Sequence, residues 1–220
     1  RDVLQKLTRT DLSSAAFPWL SARQIDVNLA PSVAARVNFV GELGWELHHP
    51  IEYQNHIFDA LMSAGVEFGL KPFGIRAMDA MRLEKSYRMV GTEMSIEYAA
   101  LESGLDRFVQ LQKPDFIGRS GLLAWQEKGF ANSFVTLEVK NTTDRDVIGG
   151  NPIYKEGKLI GRATSGGYGF RIGKSLALAM VAPDCTDIGT SLEIDILGDR
   201  FAAEIIEESP FDPANERLRA

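Results

Sequence analysis

Apolar and polar positions alternate along Arg23–Leu29, with Ile25, Val27 and Leu29 on one side, and the alternation returns at Ala35, Val37 and Phe39. A period of two predicts strands. Gly41 and Gly44 then turn the chain into a further short strand, Trp45 to His49, so a three-stranded antiparallel sheet is expected. From Ile51 the period becomes helical: Ile51, Phe58, Leu61 and Met62 fall mainly on one face, and Gly65 is placed to close the helix. A second helix is predicted from Phe73 to Tyr87, with Ile75, Met78, Met81 and Leu83 inward and Arg82 and Lys85 in solvent. A short helix over residues 2–7 precedes the sheet. Residues 92–118 read as irregular loops around a short strand, Phe108 to Leu111, and a last helix over Arg119–Lys128 ends at Gly129. Strands followed by helices in this grouping predict an α+β layer with the helices on one face of the sheet.

After Phe134 the pattern is all strand and turn. Val135, Leu137 and Val139 alternate, as do Leu192, Ile194 and Ile196, and Ser175–Val181 is a nearly continuous apolar run of the kind that forms a doubly buried strand. Lys155-Glu-Gly-Lys158 and Leu197-Gly-Asp-Arg200 read as hairpin turns, with Gly157 at a position of positive φ. Short strands at this spacing predict a small β-barrel or sandwich. The composition shift places a boundary near residue 130, giving domains over 1–130 and 131–220.

Bulk composition narrows the function classes. The 220 residues carry a net charge of −6 and a pI near 5.2, which argues against a nucleic-acid surface. The single Cys185 excludes an internal disulfide and a cysteine-cluster metal site. No run approaches the roughly 20 apolar residues of a membrane span. The chain opens at Arg1-Asp2-Val3-Leu4 with no initiating Met and no signal peptide, and so reads as a piece of something longer.

Few stretches carry chemistry. Gly166-Gly-Tyr-Gly-Phe-Arg-Ile-Gly173 lacks the strand-before, helix-after context of a dinucleotide loop, because a strand follows it, and reads as a glycine-rich β connection. His48, His49 and His56 lack partners at ligand spacing, so no metal site is expected. Cys185 has no neighbouring base and reads as a spectator thiol. The residue that stands out is Glu46, set between Trp45 and Leu47 on a short strand. A carboxylate there needs either solvent or a pair of donors, and alternation alone leaves both readings open.

Three blocks give the chain a family likeness: Gly41-Glu-Leu-Gly-Trp-Glu-Leu47, Gly74-Ile-Arg-Ala-Met-Asp-Ala-Met-Arg-Leu-Glu-Lys85 and Asp115-Phe-Ile-Gly-Arg119. They resemble the folate-binding module of the glycine-cleavage aminomethyltransferase (T-protein) family. The wording is closest to the C-terminal modules of dimethylglycine and sarcosine dehydrogenases, through Arg82-Leu-Glu-Lys-Ser-Tyr-Arg88 and Leu101-Glu-Ser-Gly-Leu-Asp106. Ala163-Thr-Ser-Gly166, Gly173-Lys174 and Asp212-Pro-Ala-Asn215 extend the likeness through the β half.

The resemblance implies a ferredoxin-like α+β portion of the folate-binding domain over 1–130 and the family's C-terminal β-barrel over 131–220. It implies tetrahydrofolate as cofactor, with Glu46, not Glu42, accepting the pterin's adjacent N–H groups, and Arg76 donating to folate oxygens. The implied reaction captures the one-carbon unit from oxidation of an N-methylamine as 5,10-methylenetetrahydrofolate, with FAD only in a fused or partner flavin domain outside this chain. No nucleic-acid or membrane partner is implied, and the compartment is cytoplasmic in bacteria or the mitochondrial matrix in eukaryotes. The family's catalytic aspartate lies upstream of the matched blocks, so Asp2, Asp11, Asp26 and Asp79 stay unassigned. The family's C-terminal tyrosine is Glu216 here. A free-standing aminomethyltransferase acting with a lipoyl carrier protein, and a non-catalytic folate-binding or structural module, are the alternatives. The related iron–sulfur repair type carries a reactive cysteine where this chain reads Lys113-Pro-Asp-Phe-Ile-Gly118.

Overall fold

The computed structural model describes residues 1–142 and 144–220. The chain divides into two compact units: residues 1–78 with 214–220, and residues 79–213.

The first unit holds α1 (Asp2–Gln5), an antiparallel sheet of β1 (Ala22–Val27), β2 (Ala30–Ala35) and β3 (Glu46–His48) in that order, and α2 (Gln54–Gly65). Its core joins Leu4, Leu12, Phe17, Ile25, Val27, Ala30, Ala34 and Ile57, with Trp45, Leu47 and Leu61 packed against it. The helices therefore cover one face of the sheet, as the grouping of periods predicted. The hairpin between β1 and β2 turns on Asn28 and Leu29, both at positive φ (47° and 71°). That turn moves the second strand upstream of its expected place at Ala35–Phe39. The core face of β2 is Ala30, Ser32 and Ala34, too small for hydrophobic alternation to register, while Leu29 mimics a core residue and is 89% exposed. The strand expected before the Gly41 turn is instead a loop, and β3 pairs with β2. Helix α2 ends at Gly65, as expected, and a 3-10 turn, Val66–Phe68, follows it and closes on Gly69 in the left-handed region.

The division between units falls within α3 (Ile75–Leu83), shorter than the predicted helix. The second unit continues through a long irregular stretch to α4 (Arg119–Lys128), which spans the expected residues and stops at Gly129, φ 86°. The strand expected at Phe108–Leu111 is a 3-10 turn over Asp106–Phe108 followed by loop. Six strands then close a barrel: β4 (Ser133–Val139), β5 (Pro152–Lys155), β6 (Lys158–Gly169), β7 (Lys174–Val181), β8 (Ser191–Ile196) and β9 (Asp199–Ile206), in the order β4-β7-β6-β5-β8-β9. Strand β7 is buried on both faces. Ala177, Ala179 and Val181 fill the barrel, and Leu176 and Leu178 pack outside it with Leu83. Small side chains suit the interior of a barrel this narrow. Gly161 lets β6 approach β7, since a Cβ there would lie 2.2 Å from the Met180 carbonyl oxygen. The Glu156-Gly157 and Leu197-Gly198 turns have positive φ at both positions, the geometry that matches strand twist. The chain ends in α5 (Glu216–Arg219), and among the described residues no helix is long and apolar enough to cross a membrane.

Candidate functional site

Register decides where Glu46 points. Ala35 pairs with Glu46, Ala34 with Leu47 and Val33 with His48. Leu47 joins the core, as does Trp45, whose ring meets Phe17 edge-on at 6.1 Å. Successive side chains alternate faces, so Glu46 and His48 share the face of the sheet that the helices leave open. The Glu46 side chain is 53% exposed, and its Oε2 lies 3.6 Å from the His48 Nε2. Gln24, Val33 and His48 form one row across the three strands. Gln24, Val33 and His48 also line a cavity of about 590 Å³ on this unit, along with Asp26.

The loop into β3 is ordered by Asn38, whose Oδ1 accepts from the backbone N–H of Val40 (3.1 Å) and of Gly41 (2.7 Å). Glu42 is engaged within the unit by the Arg217 Nε at 2.7 Å. Of the two glutamates in the motif, Glu42 is thus tied to the chain's own cation, and Glu46 faces solvent, with the His48 imidazole as its ion-pair partner among the described residues.

Arg76 sits in the first turn of α3, exposed, in an ion pair with no other described residue. A cation there opposes the helix dipole, and the first turn holds no acidic residue to offset it. The structure does not pair Arg76 with Glu46: among the described residues no ion pair joins them. Of the other histidines, His56 Nε2 lies 2.7 Å from the Asn28 carbonyl oxygen. Cys185 is buried, and burial followed by the neighbouring Asp184 pushes its thiol pKa up.

The larger departure from expectation lies just after α3. Arg82 and Lys85, expected in solvent, are each 1% exposed. Arg82 donates from Nε to Asp79 (2.6 Å) and from one Nη to the Tyr87 carbonyl (3.0 Å) and to Glu93 Oε2 (3.3 Å). Lys85 donates to the carbonyls of Phe211 (2.9 Å) and Asp212 (2.7 Å). Arg88 grips Glu208 through two nitrogens at 2.6 and 2.8 Å. Glu93, fully buried, accepts from the hydroxyls of Ser165 (2.5 Å), Thr164 (2.6 Å) and Thr92 (2.6 Å) and from the Met89 N–H (2.9 Å). Burial by itself raises its pKa, and those four donors outweigh burial, holding the carboxyl below its ordinary value. The sequence signal for this knot is the density of charge in 82–93 beside the apolar face of α3.

Two family models match the chain: the GCVT N-terminal domain over residues 1–113, and the glycine cleavage T-protein C-terminal barrel domain over residues 132–212. The chain is 42% identical over 222 residues to the mitochondrial dimethylglycine dehydrogenase of Homo sapiens, covering 100% of this chain and 26% of that protein. It is 34% identical over 205 residues to an aminomethyltransferase of Desulfitobacterium hafniense, covering 93% of this chain and 55% of that protein. The glycine cleavage system aminomethyltransferase T from Bartonella henselae superposes with a TM-score of 0.83 at 21% identity, over 96% of this chain and 56% of that one. The chain therefore spans about a quarter of the dehydrogenase and about half of the aminomethyltransferases.

Proposed function

Because the chain belongs to the glycine-cleavage T-protein family, we propose that it is a tetrahydrofolate-binding one-carbon transfer module of the dimethylglycine/sarcosine dehydrogenase type, divided near residue 130 into a folate-binding portion and a barrel. The observation that supports the dehydrogenase-type reading is the match at 42% identity over 100% of this chain and 26% of a dimethylglycine dehydrogenase, against 34% over 93% of the chain for an aminomethyltransferase. In this reading the whole enzyme's flavin chemistry belongs to a fused or partner domain, and the compartment is the mitochondrial matrix or the bacterial cytoplasm.

The carboxylate on the sheet's open face suits the N–H edge of a pterin. Glu46 offers two neighbouring oxygens on an edge strand, met among the described residues by His48 at 3.6 Å. A carboxylate accepts two parallel N–H groups in a charge-assisted pair. Arg76, in an ion pair with no other described residue, supplies a guanidinium for a carbonyl or carboxylate oxygen. Bound tetrahydrofolate would supply the nitrogens that accept a one-carbon unit. Trp45 and Leu47, anchored in the core on either side, hold the strand so that Glu46 projects from the open face, and a backbone already ordered for binding lowers the ordering cost. The catalytic acid or base of the reaction is left unassigned in this reading.

Isothermal titration with tetrahydrofolate tests the reading. Saturable binding that weakens at least tenfold in Glu46→Gln supports it, the size expected for a lost charge-assisted pair. No binding to the wild-type protein removes the folate reading, and unchanged affinity in the variant removes Glu46 from it. The aminomethyltransferase match supports a second reading, transfer from an aminomethyl-carrying lipoyl protein without flavin. Methylene transfer from such a carrier in the absence of a flavin domain would favour that second reading.

A further inference from the structure

The barrel-bearing unit holds a separate cavity of about 610 Å³ between residues 97–98 and strands β5 to β7. Its volume is within the range of roughly 300–1,000 Å³ typical of small-molecule sites. One wall is apolar, formed by Pro152, Leu159, Ile160 and Met180. Arg162, Tyr98 and Glu97 supply its polar side. Arg162 donates to the Tyr98 hydroxyl from Nε (3.0 Å) and from one Nη (2.8 Å), and that Nη also meets Glu97 Oε2. Its other Nη has no hydrogen bond among the described residues. Nor has the second oxygen of Glu97, and the Tyr98 hydroxyl, which accepts both bonds from Arg162, keeps its own proton to donate.

An isolated surface ion pair contributes little stability, with a median near 0–1 kcal/mol. Here Tyr98 holds the guanidinium against two of its nitrogens, so one donor edge and one carboxylate oxygen are fixed side by side against an apolar wall. We propose that this cavity binds small zwitterions of the α-amino-acid class that carry an apolar group. The ligand carboxylate takes the open Arg162 nitrogen, the ammonium takes the open oxygen of Glu97, and the apolar group lies against Leu159 and Ile160. The adjacent Glu97 carboxylate disfavours a dianion such as phosphate at the same guanidinium. This proposal is independent of the folate reading, which concerns the other unit.

Its test is a titration of the full chain with leucine, 4-methylpentanoate, isopentylamine and inorganic phosphate, followed by amide chemical shifts at residues 95–98 and 159–162. Leucine is expected to bind more tightly than either half-analogue. Arg162→Met should weaken leucine about tenfold or more, and Glu97→Gln should lower leucine to the level of 4-methylpentanoate without weakening the latter. The side chains of Arg162 and Glu97 are 52% and 59% exposed, so both variants keep the fold, which thermal unfolding checks. Absence of saturable leucine binding, indifference to Arg162→Met, or phosphate binding as tight as leucine each overturns the proposal.

Discussion

Two charged regions of this chain use the same residue types in opposite ways. At 82–93, Arg82, Glu93, Lys85 and Arg88 are buried, and each meets partners supplied by the fold. On the open face of the three-stranded sheet, Glu46 is half exposed beside one imidazole, and Arg76 on α3 has no ion pair among the described residues. Buried charges survive only when paired and hydrogen-bonded, so the first group is committed to structure. The second group stays largely in solvent, which is what the proposed folate role requires. Charge density in a sequence therefore does not by itself separate charges committed to structure from charges left in solvent.

The contrast breaks most sharply at Glu93. Glu93→Ala strips five donors of a buried acceptor and leaves Arg82 with one carboxylate partner fewer, and is expected to destabilise the protein by about 3–5 kcal/mol in urea unfolding. A loss under about 1 kcal/mol would mean the knot is not a structural unit. Glu46→Gln should act the other way, weakening tetrahydrofolate binding tenfold or more while moving stability by no more than about 0.5 kcal/mol. The contrast would collapse if the two effects were exchanged.

Acid titration sharpens the same division. The pKa of Glu93 is lowered in the folded state, so its contribution is complete above the ordinary value of 4.5 and is lost as pH falls through the folded value. Wild-type stability should drop on the acid side of 4.5 with a steeper slope than in Glu93→Gln, measured by urea midpoints across that range. The smallest effect is expected at Arg76. Arg76→Met should weaken folate binding severalfold and, by removing a cation from the first turn of α3, leave stability equal or higher by a few tenths of a kcal/mol. A marked loss of stability would place Arg76 in the structural group instead.

Elements built on large apolar residues were legible from the chain alone. Strand β7 and helix α4 appear at their expected positions because Ser175–Val181 is a nearly continuous apolar run and Leu122, Leu123 and Trp125 sit on a segment that Gly129 ends, and the hairpins at Gly157 and Gly198 because few other residues adopt their φ so readily. Strand β2 was displaced because alanines and a serine line its core face, so its burial leaves no hydrophobic signature. The expected strand at Phe108–Leu111 has apolar residues but pairs with no strand in the structure.

For the candidate site, the sequence by itself determined the family and the glutamate pair at positions 42 and 46. Which of the two faces solvent was decided by the tertiary structure, through the pairing of Glu42 with Arg217 and the register of β3 on β2. The tertiary structure also sent Arg82 and Lys85 inward, against local polarity, because Glu93 and the carbonyls of Phe211 and Asp212 wait there. Local pattern can state that a charge is present. Only partners brought from distant positions determine whether burying it is cheaper than leaving it in water.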